Sequence, residues 1–202
     1  MIDRLAGVSG RDVSRETFEK LEAYAGLLRE ENQRQNLVSA STLDSLWERH
    51  ILDSAQLVRF EPHSGATWVD IGSGAGLPGI VIACLVEGPV TLIEPRRLRA
   101  DFLHRACESL LLNASVFVGK AERAGGKYDV ITARAVANMA ELLKISAHLS
   151  TRKTTWVLPK GRSAELELAE AEQAWQGAFH VERSATDPES RIVVATRVRA
   201  TT

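Results

Sequence analysis

The sequence predicts an α/β fold in which an open, mostly parallel sheet follows a helical amino-terminal region. Two patterns carry this prediction. The first sixty residues show the apolar spacing of amphipathic helices, and after Thr67 short β-rich runs alternate with helix-like stretches. Parallel strands need crossover connections, which helices on the faces of the sheet supply. Two last β-rich runs predict a closing antiparallel hairpin.

The amino-terminal region is predicted to form two helices. In the first, over residues 14–35, apolar side chains recur every three or four residues, and Ser14 suits the N-cap position. The second is predicted over residues 42–58. We therefore expect residues 1–64 to form a helical extension, and residues 65–202 to form the sheet domain of one structural unit.

The predicted strands and helices of the sheet domain alternate along the chain. Five β-rich runs lie at residues 67–71, 90–93, 115–118, 128–132 and 155–158. Helix-like stretches lie at residues 79–86, 97–111, 138–149 and 162–175. The runs at residues 179–183 and 191–199 form the predicted hairpin.

The composition of the 202 residues is that of an ordinary globular protein, with 45% hydrophobic and 25% charged residues. The longest apolar run, residues 80–86, is too short to cross a bilayer, and no signal peptide is apparent. Cys84 and Cys107 lie in apolar segments without metal-ligand spacing, which suggests core thiols in a reducing compartment. We expect a cytoplasmic protein with no membrane partner and no metal.

A glycine-rich segment directly after the first strand is the strongest functional signal. Residues 70–79 read Asp-Ile-Gly-Ser-Gly-Ala-Gly-Leu-Pro-Gly, and a helix is predicted to follow. Glycines allow positive φ and a close approach of backbone amides to a ligand, and ligands of open α/β sheets bind at the carboxyl ends of strands. The predicted cofactor residues here are Asp70, Gly72, Gly74, Gly76 and Leu77.

Two acidic residues and Leu77 indicate which cofactor binds. A dinucleotide fingerprint has Gly or Ala where this chain has Leu77. Asp70 suits a cationic group, such as the amino or sulfonium group of S-adenosylmethionine. Glu94, at the end of the second strand, suits the ribose hydroxyls of either cofactor class. The pattern favours S-adenosylmethionine, with a nicotinamide cofactor as the alternative.

The chain resembles the bacterial RsmG (GidB) methyltransferases, which modify guanine N7 in small-subunit ribosomal RNA. The resemblance covers nearly the whole chain. The matching segments are residues 36–39, 49–54, 77–79, 92–99, 121–122, 132–136 and 159–161. It implies a Rossmann-like class I methyltransferase sheet, S-adenosyl-L-methionine as cofactor, and 16S ribosomal RNA or the small ribosomal subunit as partner.

The resemblance also assigns roles to individual residues. Gly72 and Leu77 match cofactor contacts, and Ala121 and Glu122 match the segment that holds the adenine ring. Arg134 matches a cofactor-site arginine whose guanidinium would bind the methionine carboxylate in two-pronged geometry. Its alternative role is to neutralise a buried Asp70 or Glu94.

Binding of RNA requires cations that contact phosphates. Arg96, Arg97 and Arg99 follow the second predicted strand, and Lys160 and Arg162 follow the fifth. Because both groups follow strand ends, we expect them to flank the cofactor site. The alternative is an ordinary solvated surface.

No residue is predicted to act as a catalytic acid or base. Guanine N7 presents an unprotonated lone pair, so no general base is needed to start its attack. His50 and Asp53 are therefore predicted to have structural or RNA-positioning roles. The sequence is also compatible with three alternative functions: a small-molecule methyltransferase with the helical extension as a lid, an NAD-dependent oxidoreductase, and a non-enzymatic binding module.

Overall fold

The computed structural model describes residues 1–201. Its helices are α1 Ile2–Ser9, α2 Arg15–Asn32, α3 Ala40–Leu43, α4 Asp53–Ala55, α5 Gly79–Leu85, α6 Arg97–Ser109, α7 Met139–Ser146 and α8 Ala164–Ala171. Its strands are β1 Trp68–Ile71, β2 Val90–Glu94, β3 Ala114–Val118, β4 Val130–Ala133, β5 Thr155–Lys160, β6 Trp175–Arg183 and β7 Arg191–Ala200. A π-helical turn covers Trp47–Leu52, and 3₁₀ turns cover Gln56–Phe60, Ala121–Arg123 and Ala147–Leu149.

The seven strands form one sheet in the order β3-β2-β1-β4-β5-β7-β6. Strands β1 to β5 are parallel, and β7 is antiparallel to both β5 and β6. The predicted sheet with its closing hairpin is confirmed. The chain leaves β1 on one side for β2 and β3 and returns on the other side at β4, so the loops after β1 and β4 meet at the topological switch point, where such sheets bind ligands.

The amino-terminal helices, here called the cap (residues 1–64), pack directly on the sheet domain. Ser14 caps α2, because its Oγ accepts a hydrogen bond from the Thr17 N–H at 3.0 Å. Leu21, Tyr24 and Leu28 of α2 are fully buried in the same apolar core as residues of β1 and α5. The division of the chain at residue 64 stays a prediction, since cap and sheet share this core.

The structure corrects the predicted helix over residues 42–58. The chain instead passes through α3, the π-helical turn, α4 and a 3₁₀ turn. Residues 54–58 are all buried, and the side chains of Asp53 and Gln56 bond to Thr186 and Ser184 at the other end of the chain. The changes of helical pitch thus occur where the chain makes tertiary contacts that local periodicity does not encode. Helix α1 was not predicted.

The structure also corrects the predicted end of the last helix. Helix α8 ends at Ala171, and Trp175 opens strand β6, paired with Ala200. Judged from local sequence preference alone, Gly177 disfavours a strand. In the sheet it lies at the irregularity between Gln176 and Ala178, a position where a β-bulge accommodates a glycine.

The remaining composition-based expectations concern the helices and thiols. No helix within residues 1–201 is long and apolar enough to cross a membrane. Cys107 is buried and Cys84 is partly buried, and both are free. Burial raises the pKa of Cys84 to about 12 and that of Cys107 to about 11, so both remain thiols at neutral pH.

The Tyr24 hydroxyl is predicted to stabilise the contact between cap and sheet domain. It donates a buried hydrogen bond to the Ala75 carbonyl at 2.8 Å. Tyr24→Phe leaves that carbonyl unpaired, so we expect the free energy of unfolding to fall by about 1–3 kcal/mol. Urea denaturation measures the change. Tyr128→Phe, which removes an exposed bond to Gly125, is the control; an equal effect of both changes would contradict the prediction.

Candidate active site

The loop after β1, residues 72–79, is here called the cofactor loop. Gly72 and Gly74 have φ values of +68° and +55°, which L side chains rarely adopt. A Cβ at Gly72 would lie 2.6 Å from Cγ2 of Val136, in the loop after β4. Ile71 and Ala133 are register partners on neighbouring strands. The two loops therefore begin side by side, and glycine lets them touch.

Asp70 stabilises the cofactor loop from within the core. The side chain is 1% exposed, and its Oδ2 accepts a hydrogen bond from the Gly79 N–H at 3.0 Å. A Cβ at Gly79 would lie 2.6 Å from that same oxygen, so the bond requires glycine. Burial raises the pKa of Asp70 to about 7, although the Gly79 N–H acts in the opposite direction. Its Oδ1 and the Oγ1 of Thr132, its register partner, have no hydrogen-bond partner among the described residues.

Glu94 holds the other side of the cofactor loop. It is 3% exposed, and its Oε2 accepts from the Gly74 N–H at 2.8 Å. Its Oε1 accepts from the Arg96 N–H, also at 2.8 Å. The carboxylate thus joins the loop to the turn after β2. Each oxygen retains acceptor capacity for a ligand hydroxyl.

The other predicted loop and adenine residues lie at the same edge of the sheet. Gly76 has a φ of +90°, and Leu77 is buried. Ala121 is buried in the 3₁₀ turn that follows β3, whereas Glu122 is exposed. Since β1, β2 and β3 are parallel neighbours, the loops after them form one continuous edge.

Arg134 forms no ion pair within 4.0 Å with Asp70 or Glu94, although its positive charge lowers the pKa of Asp70 against the larger effect of burial. Its Nη1 lies 3.5 Å from Oδ2 of Asp53 in the cap. Oδ1 of Asp53 accepts hydrogen bonds from the Thr186 hydroxyl and from the Gln56 side-chain amide, each at 2.9 Å. Asp53 therefore connects the cap, the loop after β4 and the link between β6 and β7 (residues 184–190). The sequence carries no signal for this cluster, because its members are distant along the chain.

An open groove lies beside the cofactor loop. One part, of about 300 Å³, is lined by residues after β4, by the end of β5 and by the β6–β7 link, among them Arg134, Pro159 and Lys160. A second part, of about 510 Å³, is lined by Arg49, His50 and residues of the same link. Both parts contain Asp53 and Ser190. Within residues 1–201, no three His, Cys, Asp or Glu side chains are grouped to bind a metal ion.

Comparison with known families identifies this arrangement. Residues 17–190 match the family model GidB, described as rRNA small subunit methyltransferase G. The chain belongs to this family. A ribosomal RNA small subunit methyltransferase G of Zymomonas mobilis is 43% identical over 195 residues, covering 92% of this chain and 88% of the relative. That of Erythrobacter litoralis is 47% identical over 192 residues, covering 92% and 90%.

Solved structures show the same fold at low sequence identity. A SAM-dependent methyltransferase from Aquifex aeolicus has a TM-score of 0.61 and 15% identity, covering 76% of this chain and 93% of its own. A variant of MtNAS in complex with S-adenosylmethionine has a TM-score of 0.62 and 17% identity, covering 88% and 74%. Membership of the methyltransferase family confirms the predicted enzyme class and its cofactor, S-adenosylmethionine, and the oxidoreductase and binding-module alternatives are wrong.

The geometry of the cofactor loop fits S-adenosylmethionine. Glu94 offers buried acceptor oxygens at the end of β2, which suit ribose hydroxyls. At Gly74 an added Cβ would meet only Arg99 Nη1 and the Gly72 carbonyl, at 3.5 and 3.7 Å, so a ligand can approach the backbone there. Arg134, after the neighbouring strand, presents a cation beside Gly72. The individual contacts of these residues with the cofactor stay predictions.

His50 is held as a neutral side chain. Its Nε2 lies 3.0 Å from the Thr42 hydroxyl, and its Nδ1 is buried without a partner among the described residues. Burial, together with the positive charges of Arg134 and Arg49, lowers the pKa of His50 to about 4. At neutral pH the acidic imidazolium form is therefore not populated, and the neutral ring is a weak base. This agrees with the absence of an assigned acid or base.

The predicted RNA-binding cations differ in their surroundings. Arg96 and Arg97 are exposed after β2, and Arg97 pairs with Asp101 at 3.2 Å. Arg99 lies over the cofactor loop. Arg162 is exposed and pairs with Glu189.

Lys160 has a different environment from the exposed phosphate contact that we predicted. Its side chain is only 10% exposed, and its Nζ lies 2.7 Å from Oε2 of Glu167. It also donates to the Ala137 carbonyl at 3.1 Å. The ammonium thus joins α8 to the loop after β4 and lines the groove without projecting from it.

The buried Asp70 carboxyl is predicted to make stability depend on pH. Its pKa is higher in the folded than in the unfolded state, so the folded protein holds the extra proton and loses stability as pH rises from about 4 to 7. Asp70→Asn removes this cost. We expect the variant's gain in free energy of unfolding to be on the order of 3 kcal/mol larger at about pH 7.5 than at about pH 4.5.

Urea denaturation of the cofactor-free protein at both pH values measures this difference. Asp129→Asn is the control of opposite sign, because hydrogen bonds from Thr67 lower the pKa of Asp129. That variant should lose stability at neutral pH. A gain for Asp70→Asn that is equal at both pH values would contradict the prediction.

Proposed function

We propose that this enzyme transfers a methyl group from S-adenosylmethionine to N7 of one guanine in 16S ribosomal RNA, in the cytoplasm. The names of the relatives support the class of substrate, and the family resemblance supports guanine N7. The structural observation that carries the proposal is the open groove beside the cofactor loop. It contains Arg134 and the end of β5, and it is open to solvent, as a site for a base within a large RNA requires.

The cofactor is proposed to lie along the carboxyl edge of β1 to β4. Gly72, Gly74, Gly76 and Leu77 form its loop, with Asp70 beneath, and Glu94 accepts from the ribose. Ala121 and Glu122 flank the adenine, and Arg134 binds the methionine carboxylate. S-adenosylmethionine supplies an electrophilic methyl group on a sulfonium centre.

The residues of this chain act by positioning and not by proton transfer. Guanine N7 attacks with a lone pair, and neutral His50 is not needed as an acid or base. A carboxylate next to the sulfonium would stabilise the ground state more than the transition state, which opposes catalysis. Asp70 and Glu94 meet this constraint, because backbone N–H groups of the cofactor loop hold both. Holding N7 and the methyl group in line is worth up to about 7–11 kcal/mol in model reactions.

The exposed arginines around the cofactor loop are proposed to bind RNA phosphates. Arg96 and Arg97 project from the start of α6, with Arg99 beside the loop and Arg162 across the groove. Lys160 takes part indirectly, since its pair with Glu167 positions the groove wall. His50 and Asp53 position the groove from the cap side.

The first test is methyl transfer itself. Labelled S-adenosylmethionine is incubated with small ribosomal subunits from a strain that lacks this gene, and the modified nucleotide is mapped. We expect label at a single guanine N7. Arg134→Ala should lower kcat/KM by at least about a hundredfold, because a charge-assisted two-pronged contact is lost. The control is Arg15→Ala, on the exposed face of α2. Cofactor binding without label in subunits or naked RNA would overturn the substrate assignment.

The second test concerns the arginines after β2. The double change Arg96→Ala and Arg97→Ala should weaken RNA binding roughly tenfold and reduce the salt slope of log K by about 1.4–1.8, the contribution of two phosphate contacts. Calorimetry should show unchanged affinity for S-adenosylmethionine. Arg15→Ala combined with Lys144→Ala removes the same charge from other faces and is the control. An unchanged salt slope would rule out these two arginines as phosphate contacts.

A further inference from the structure

Three arginines gather at the edge of the sheet opposite the cofactor loop. Arg197 and Arg199 lie near the end of β7, and Arg152 precedes β5. Thr155, the first residue of β5, pairs with Thr196, so all three arginines lie at the amino ends of the parallel strands. With Gln176, Gly177 and Ala178 they line an open cleft of about 670 Å³, here called the arginine cleft.

The charges of the arginine cleft are not neutralised. Within residues 1–201, no carboxylate lies within 4.0 Å of Arg152, Arg197 or Arg199. By contrast, Lys160 and Arg162 beside the groove are both ion-paired. Exposed guanidinium groups without a carboxylate are available to an external anion.

The backbone and a neighbouring side chain orient these guanidinium groups. Arg199 donates from Nε and Nη2 to the side-chain oxygen of Gln176, at 3.3 and 3.1 Å. Arg197 has a φ of +56°, an unfavourable value for arginine, opposite the irregularity at Gly177. A β-bulge changes the direction in which neighbouring side chains point. Arg197 and Arg199 both line the arginine cleft although the pairing of β7 with β6 is irregular here. A Cβ at Gly177 would lie 3.0 Å from the Thr196 carbonyl oxygen, so no side chain can fill the cleft from that position without strain.

The distribution of charge favours a polyanion as the partner. Strands β6 and β7 contain four arginines and one glutamate, whereas the whole chain has a net charge of −1. Strand β5 has six residues and separates the arginine cleft from the groove by roughly 17–20 Å at about 3.3 Å per residue. A small anion cannot reach both places, but the backbone of a folded RNA can.

We propose that the arginine cleft binds the phosphate backbone of the RNA substrate, remote from the guanine that receives the methyl group. The inference rests on the proposed function, because it requires an RNA substrate. It assigns to the carboxyl-terminal hairpin a docking role separate from the chemistry. The cleft then raises affinity for the large substrate and leaves the methyl-transfer step unchanged.

The test uses the full-length enzyme with Arg197→Asn and Arg199→Gln combined; asparagine tolerates the positive φ at position 197. At about 150 mM salt we expect the KM for small subunits to rise roughly tenfold, and the salt slope to fall by about 1.4–1.8. The kcat at saturating subunits and the affinity for S-adenosylmethionine should stay at wild-type values. Arg152→Gln, in a loop outside the hairpin, should raise the KM in the same direction and shows that the effect does not arise from altered strand pairing.

Two comparisons distinguish failure of the arginine-cleft proposal from failure of the proposed function. Arg15→Gln with Lys144→Gln removes equal charge elsewhere and should leave the KM unchanged. A short RNA that carries only the methylated region should respond to the Arg96 and Arg97 changes but not to the arginine-cleft variant. If the variant and Arg152→Gln both match the control in KM and salt slope on subunits, the arginine cleft is not an RNA site, while the proposed function stands. If the wild-type enzyme labels no ribosomal RNA, both proposals fall.

Discussion

The cofactor loop keeps its shape because two buried carboxylates accept its backbone N–H groups. Asp70 accepts from Gly79 and Glu94 accepts from Gly74, while Tyr24 of the cap donates to the Ala75 carbonyl. The loop is therefore held on three sides by groups that lie in the core. Burying a carboxylate costs free energy, which the raised pKa of Asp70 reflects. The strand ends thus present a glycine-lined surface held by the core, and the groove opens next to it.

The cap forms part of the groove wall and is not only a cover for the sheet. Asp53 binds Arg134, Gln56 and Thr186, which come from the loop after β4, the cap and the β6–β7 link. Gln56 also bonds Ser184 of that link. The groove wall is therefore assembled from segments that are far apart in sequence. A change in any one of them alters the surroundings of Arg134.

The net charge of −1 hides an uneven distribution of cations. Some cations pair with carboxylates of the protein itself, as Lys160 does with Glu167, and this pair lines the groove. Others have no carboxylate partner in the described part of the chain, as at the arginine cleft. Because exposed ion pairs contribute little to stability, the arrangement of the unpaired arginines is more informative about partners than about folding.

The sequence by itself determined the alternating α/β pattern, the cofactor loop and Glu94, because each depends on local spacing and on the parallel order of strands. The family motif added Arg134 and the substrate class. Only the tertiary structure decided the broken helix over residues 42–58 and the early start of β6 at Trp175, since long-range side-chain contacts and strand pairing overrode local periodicity. It also decided that Arg134 pairs with Asp53 and that Lys160 pairs with Glu167. Side chains that meet only after folding leave no periodic signal, and whether a cation is free depends on which carboxylate the fold places beside it.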